Sequence, residues 1–476
     1  MKKSLIILLS LLTLFTANNS FAQKSKKHKS KTVQVKKNVK HKKKTTAKKI
    51  SVNTSTSAPV DYSSLFNKVY LIHDNKEMRA SLIREKEALN RMESFIQNAI
   101  YQHAFPGCQV FASKNGQIIY QKSFGSFSYD KLKPVTDTSL YDIASVTKIV
   151  ATTLAVMKLY DEGKIALNGT LAGYLSRVKG TDKASLRISD LLTHQAGLKS
   201  WIPFYRSTLD SITKMPRNDI YSTRKDSVFT IPVASNFYMN KAYVDTIWET
   251  IVNSPLENKG RYVYSDLDLL FMQKVVEAVT GKPLEQYVDE NFFQPLALKH
   301  TMYNPWKKGL QKQCAPTEND QAFRLQLLQG YVHDPGAAMA GGVAGHAGVF
   351  SNAADIAVVM QMLLNGGEYR GRKYISKETI RLFTGYRSGI SRRGYGFDKP
   401  EKKAGDGGPA SALCGKTTFG HQGFTGTCAW ADPETGIVFV FLANRVYPSA
   451  DNSLINSLGV RTKVQDYIYQ ALGEQH

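Results

Sequence analysis

The sequence predicts a mixed α/β (α+β) fold. One antiparallel sheet is assembled from both ends of the chain and flanked by helices, and an all-helical region is inserted between the two halves. Three observations predict it. Early in the body, two strand-like runs, Cys108–Ala112 and Gln117–Gln121, are joined through Asn115-Gly116. Both turn residues tolerate positive φ, which a two-residue hairpin requires. Late in the chain, Thr427–Ala431 and Ile437–Leu442 are joined by Asp432-Pro433-Glu434-Thr435-Gly436, a turn-forming composition. Between these ends lies a long stretch of mostly helical periodicity with aromatic-rich loops and no internal repeat.

The elements follow in order. Leu82, Ile83, Leu89, Met92, Phe95, Ile96 and Ile100 recur at helical spacing and predict an opening amphipathic helix through about His103. The first hairpin comes next. Ile149, Val150, Leu154, Met157 and Leu159 then predict a buried helix, closed by Gly163. A helix over Leu267–Thr280 follows Tyr264-Ser265-Asp266, and a last helix is expected from about Asn452 to Leu472.

Composition bounds the rest. The 476 residues are 42% hydrophobic and 21% charged, enough for a sizeable core. The net charge of +24 is unevenly placed. Residues 1–50 hold 15 Lys, no Arg and no acid, so the remainder carries 48 basic and 39 acidic residues, or +9. A body this mildly basic gives no charge argument for a nucleic-acid-binding fold. Lys2 and Lys3, the largely apolar run Leu5–Phe15 and the small residues of Ser20-Phe21-Ala22 read as a secretory signal over residues 1–22. Residues 23–62 read as a Lys-rich tail and linker. Thirteen Lys between residues 23 and 50 repel one another. They suit a solvated leader, or an electrostatic contact with anionic envelope polymer. Residues 63–476 are left as one domain. No later stretch is long and apolar enough for a membrane helix. The expected location is therefore across the inner membrane, periplasmic or envelope-associated.

Cys108, Cys314, Cys414 and Cys428 form no CxxC pair, which excludes a zinc ribbon or thioredoxin-type motif. Cys414 and Cys428 either pair across a hairpin or stay as buried thiols. The ten His show no H-E-x-x-H, which disfavours a zinc amidase. No phosphate-cradling loop stands in the right context. No metal and no cofactor are expected.

The first chemical candidate is Ser145-Val146-Thr147-Lys148. The same S-x-x-K spacing occurs at Ser128–Lys131, Ser211–Lys214 and Ser222–Lys225. Only the Ser145 copy opens a long helical pattern. Pro134 and Pro216 closely follow the first two others, and the last runs into a β-branched stretch ending at Pro232. On a helix, Ser145 sits at the positive end and Lys148 one turn on, on the same face. In an apolar pocket Lys148 loses part of its preference for charge and can serve as a base. Ser145 is then a nucleophile without a His.

These residues carry a resemblance. Phe105-Pro106-Gly107-Cys108, Asp142–Lys148 and Leu191-Leu192-Thr193-His194-Gln195-Ala196-Gly197-Leu198 stand in the order found in the serine β-lactamase and penicillin-binding-protein superfamily. The chain resembles its class C and esterase-like branch over about residues 85–472, which implies the β-lactamase/transpeptidase-like fold. Tyr264-Ser265-Asp266 fills the place of the second motif, Tyr-x-Asn, and implies Tyr264 as a proton shuttle. Asp266 departs from the usual Asn, which bears on recognition of the acyl-side amide. Gly420–Thr427 fills the place of the third motif. His421-Gln422-Gly423 replaces Lys-Thr-Gly, and Lys416-Thr417-Thr418 is a rival that lacks the Gly. A neutral His421 holds a substrate carboxylate weakly, which argues against an efficient β-lactamase. The resemblance places an oxyanion hole at the N–H groups of Ser145 and Phe424. His194 reads as structural.

A finer resemblance rests on His333–Ala338, Gly341–Ser351, Arg392–Asp398 and Ala443–Pro448. These segments are similar to a subgroup found with secreted β-N-acetylglucosaminidases, some of whose members are muropeptide amidases. It implies that His333, Asp334 and His346 read sugar or peptide; the alternative is polar groups satisfied within a Gly-rich loop. Arg393 and Arg445 are either carboxylate ligands or solvated. The expected function is an exported serine hydrolase acting through an acyl-enzyme on amide or ester bonds of peptidoglycan fragments. Muropeptide amidase stands first, then D-Ala-directed peptidase, esterase and weak β-lactamase. A non-catalytic cell-wall-binding module is the alternative of another class.

Overall fold

The computed structural model describes residues 76–474, apart from Asn258 and residues 404–407. The secretory signal, the Lys-rich tail and the start of the 63–476 domain lie outside the described residues.

The chain ends build the main sheet, as expected. Its strands are β1 (Gly107–Lys114), β2 (Gln117–Gly125), β3 (Phe419–Gln422), β4 (Cys428–Asp432) and β5 (Ile437–Ala443). The order across the sheet is β3-β4-β5-β1-β2, antiparallel throughout. Cys108 lies opposite Ala443 and Lys114 opposite Ile437, so the first strand pairs directly with the last. The β1–β2 turn has Asn115 at φ 50° and Gly116 at φ 79°, the pair of left-handed residues that fits the twist of the two strands.

Both faces of the sheet are covered. Val110 and Ala112 of β1, with Phe439 and Phe441 of β5, pack with Met92 and Ile96 of α1 (Lys76–Tyr101) and Val464 and Ile468 of the C-terminal helix. Phe111, Val438, Val440 and Leu442 point the other way, into a second core with Ile356, Met360 and Leu363 of Ala353–Leu364. The alternation is the two-residue period of a strand. With both sides buried, β5 reads as the unbroken apolar run Ile-Val-Phe-Val-Phe-Leu-Ala.

Several expectations need correction. The inserted region is not all-helical. Tyr221–Ser222, Phe229–Ala234 and Phe237–Asn240 form a three-stranded sheet, and Tyr141–Asp142, Met302–Tyr303 and Val349–Ser351 form another. Most of these strands are too short to show alternation. The longest, Phe-Thr-Ile-Pro-Val-Ala, turns into its partner through Asn236 at φ 49°. The last helix is split into Leu454–Ser457 and Val460–Leu472, with Gly459 between them at φ 63°. No described helix is long and apolar enough to cross a membrane.

Cys414 and Cys428 do not pair. All four cysteines are free and buried. Burial pushes the thiols of Cys414 and Cys428 up to about 12, which keeps them as inert thiols. A thiol reagent is expected to count no reactive cysteine in the native protein and four after denaturation without reductant. A count of two after denaturation would show that the chain carries a disulfide.

Candidate active site

Ser145 is placed by a short strained segment. Tyr141–Asp142 pairs with Val349–Ser351. The Asp142 carboxylate then accepts the Ala144 N–H at 2.9 Å and the His333 N–H at 2.7 Å. Ala144 is held at φ 45°, a left-handed conformation that costs a residue with a Cβ about 1–2 kcal/mol. Ser145 follows on one 3₁₀ turn, Ala144–Val146. A π turn, Lys148–Thr152, leads into α2 (Thr153–Asp161). The expected helix is present, but its first turns are irregular, as is common at functional positions.

The turn brings Lys148 onto Ser145. Lys148 is fully buried. Its Nζ donates to Ser145 Oγ at 2.8 Å, Asp266 Oδ1 at 2.7 Å and the His346 carbonyl at 3.2 Å. Three acceptors match the three N–H bonds of an ammonium. Tyr264 OH also donates to Ser145 Oγ, at 2.9 Å. The Tyr264 ring lies under Lys148 Nζ, 4.9 Å from its centroid.

The electrostatics differ from the sequence expectation. Burial does push the Lys148 ammonium down, but Asp266 and Tyr264 outweigh it and hold its pKa above the ordinary lysine value. Burial likewise raises Tyr264, and its cationic neighbours offset this only in part. Both groups are therefore protonated at rest. For Lys148 to receive the Ser145 proton it must give one up, and Asp266, already its acceptor, is the available sink.

The third-motif strand is β3, at the edge of the sheet. Its loop is tied to the nucleophile segment by Thr425 Oγ1 to the Asp142 carbonyl at 2.7 Å and Thr427 Oγ1 to the Ile143 carbonyl at 3.0 Å. Gly423 permits this approach: a Cβ there would lie 2.1 Å from Thr427 Oγ1 and 2.5 Å from the Ile143 carbonyl. Among the turn and loop hydrogen bonds of the described residues, neither the Ser145 N–H nor the Phe424 N–H has an acceptor. The Phe424 side chain is exposed and stacks on His333 at 5.6 Å. Gln422 turns its amide away, to the Pro409 carbonyl.

His421 is buried. Burial, with Arg393 beside it, pushes its pKa down to about 3. Nδ1 faces the Gln422 carbonyl at 2.6 Å and Nε2 faces Arg393 Nη1 at 3.0 Å. The ring is therefore a neutral imidazole donating from Nδ1 and accepting at Nε2. His333 pairs with Glu318 at 3.0 Å and His346 with Asp334 at 2.9 Å. Of the two, only His346 meets the Ser145 cluster directly, through its backbone carbonyl.

Comparisons with known proteins settle the family. The beta-lactamase family model matches residues 84–459. The chain belongs to the beta-lactamase family. It is a serine hydrolase. It is 35% identical over 395 residues to the "Putative D-alanyl-D-alanine carboxypeptidase" of Escherichia coli O157:H7, covering 77% of this chain and 84% of that protein. Among solved structures, EstCE1, "a hydrolase with promiscuous acyltransferase activity", superposes with a TM-score of 0.59 at 20% identity, over 81% of this chain and 100% of that one. A class C beta lactamase from Rhodobacter sphaeroides gives 0.56 at 17%, over 81% and 99%. At these identities the two structures speak for the fold, which is shared.

Within this beta-lactamase-family site, sequence reasoning missed the burial of Arg393 and Arg445 and the partner of His194. Arg393 is buried, not solvated. It donates to Tyr262 OH at 3.1 Å as well as to His421, and lies 3.5 Å from Asp398. Arg445, also buried, grips the Phe424 carbonyl and those of Ala450 and Asn452. His194, read as structural, pairs through Nδ1 with the buried Asp268 at 2.7 Å and lies beside the Tyr264 ring at 4.7 Å. Asp268 carries no motif. Its only sequence signal is its place two residues after Asp266. Asp266, Asp334 and His346 bring one ligand atom each within 4.8 Å of one another. Lys148 occupies Asp266, while His346 and the Ala337 N–H occupy Asp334. A cation there would face the Lys148 ammonium, so the donor set does not fit a metal.

Proposed function

We propose that this serine hydrolase is a muropeptide amidase that works through an acyl-enzyme. The observation that carries the reading is Ser145 Oγ held by both Lys148 Nζ and Tyr264 OH. In this reading Ser145 Oγ attacks the amide carbonyl of the lactyl group. Its proton passes to Lys148 as Lys148 gives one to Asp266. The Ser145 and Phe424 N–H groups hold the oxyanion. The C–N bond breaks as that proton returns from Asp266 by way of Lys148 and Tyr264 to the peptide amine, which leaves all three side chains as they began. Water then attacks the ester, frees the lactyl carboxylic acid and returns the proton to Ser145.

The choice of bond rests on the leaving-group side. A D-Ala-directed peptidase must hold a terminal carboxylate. Here His421 is neutral, and the Arg393 guanidinium is spent on His421, Tyr262 and Asp398. An internal amide makes no such demand. The second reading, D-Ala carboxypeptidase, is favoured by the relatives of that description. Residues 1–22 and 23–62 belong to the proposal as export signal and envelope-directed tail.

Digestion of purified muropeptides, followed by mass spectrometry, separates the two. The amidase releases intact stem peptide and a sugar with a free lactyl carboxylate. A product lacking only one D-Ala would replace this reading with the second.

A further inference from the structure

A groove of about 460 Å³ opens beside the cleft, lined by Lys199, Trp201, Ile202, Thr250, Asn253 and Pro255. The volume is in the range of small-ligand sites. Its wall is continuous with the catalytic cluster. Trp201 and Ile202 also line a small cavity with Asp266, Asp334 and His346. The Lys199–Ser200 backbone is fixed to the second motif, since Ser265 Oγ donates to the Lys199 carbonyl at 2.6 Å and the Asp266 N–H to the Ser200 carbonyl at 2.9 Å. The groove therefore adjoins the second motif, beside Ser145.

The lining has a particular chemistry. Trp201 is 49% exposed, a large apolar surface left open to water. Among the described residues its Nε1–H and the Asn253 side-chain amide have no hydrogen-bond partner. Thr250 keeps its hydroxyl oxygen lone pairs free to accept, its proton being given to the Thr246 carbonyl. Lys199 is neutralised by Glu257 at 3.1 Å. An open indole face beside uncharged donors and acceptors suits a ring with one apolar face and a rim of hydroxyl and acetamido groups. It suits a peptide poorly. A peptide bound by strand addition needs a free strand edge, and this wall offers none, being the end of the helix Tyr243–Asn253 and loops bearing Pro203 and Pro255.

We propose that this groove is a saccharide subsite, seating the pyranose on the acyl side of the scissile bond against Trp201 with Asn253 bonding its substituents. The inference rests on the amidase reading for the identity of the bond, and its test is built to fail separately. A lactyl-peptide carries the same scissile amide without the sugar. The ratio of kcat/KM for the sugar-bearing muropeptide over the lactyl-peptide is expected to fall about ten- to hundredfold in Trp201→Ala of the full chain. A parallel fall on both substrates, or none, overturns the subsite. Calorimetry with the disaccharide N-acetylglucosaminyl-N-acetylmuramic acid on Ser145→Ala reads binding independently of chemistry. Binding that Trp201→Ala then abolishes supports the subsite even where the cleaved bond proves to be D-Ala-D-Ala. Affinity for the sugar-free stem peptide in place of the disaccharide overturns it.

Discussion

A fluorophosphonate is expected to add once to this protein, on Ser145, and not at all to Ser145→Ala. Ser145 Oγ is half-buried and already positioned by two donors, Lys148 Nζ at 2.8 Å and Tyr264 OH at 2.9 Å. A serine alcohol alone is a poor nucleophile near neutrality. In the proposed mechanism the arrangement lowers the barrier by pairing proton removal with attack and by offering N–H groups to the oxyanion. Turnover in Ser145→Ala is expected to fall by roughly four to six orders of magnitude, since groups that act as a unit lose most of their effect together. Intact mass reads the adduct directly. Labelling that persists in the variant would place the reactive residue elsewhere. A folded wild type that never labels would leave the wall-binding module as the better account, with Ser145, Lys148 and Asp266 as a buried polar network.

Asp266→Asn is expected to move the acid limb of the pH–rate profile to lower pH by about one to three units. The sign follows from the charges. Lys148 acts as a base only after losing its proton, to Asp266 in the native protein and to solvent in Asp266→Asn, so in the variant the rate rises with pH through its pKa. Asp266, 2.7 Å from Nζ, holds that pKa above the ordinary lysine value against a large opposing effect of burial. Asparagine keeps a carbonyl oxygen in the same place but removes the charge. Burial then prevails, and the neutral amine is populated at lower pH. Measuring kcat/KM from pH 5 to 10 on a common substrate checks this. An unmoved limb would show that Asp266 does not set the protonation of Lys148.

Much of the site was legible because its chemistry is local. Ser145 and Lys148 are three residues apart, and one turn of any helical geometry brings them together. Tyr264-Ser265-Asp266 and Gly420–Thr427 were legible as slots filled in order. The electrostatics were not. A lysine in an apolar pocket reads as a lowered base until Asp266 is placed beside it, and that contact spans 118 residues. Arg393 stayed open between a carboxylate ligand and a solvated cation because nothing local announces its burial against Tyr262 and His421. The sheet was readable from its two hairpins, whose turns declare themselves. The small sheets of the inserted region were not, because two-residue strands have no period to detect.

The pairing of β1 with β5 fixes when the enzyme can exist. Gly107–Lys114 has no strand on its β5 side until Ile437–Ala443 has been made, and β3 with its Phe424 loop joins the sheet only through β4 and β5. Ser145 and Lys148 are synthesised early, yet the loop facing them arrives with the last part of the chain. A nascent or C-terminally clipped molecule therefore holds a serine with half a cleft. Contacts this remote in sequence also close slowly. That delay postpones hydrolytic competence until synthesis is complete.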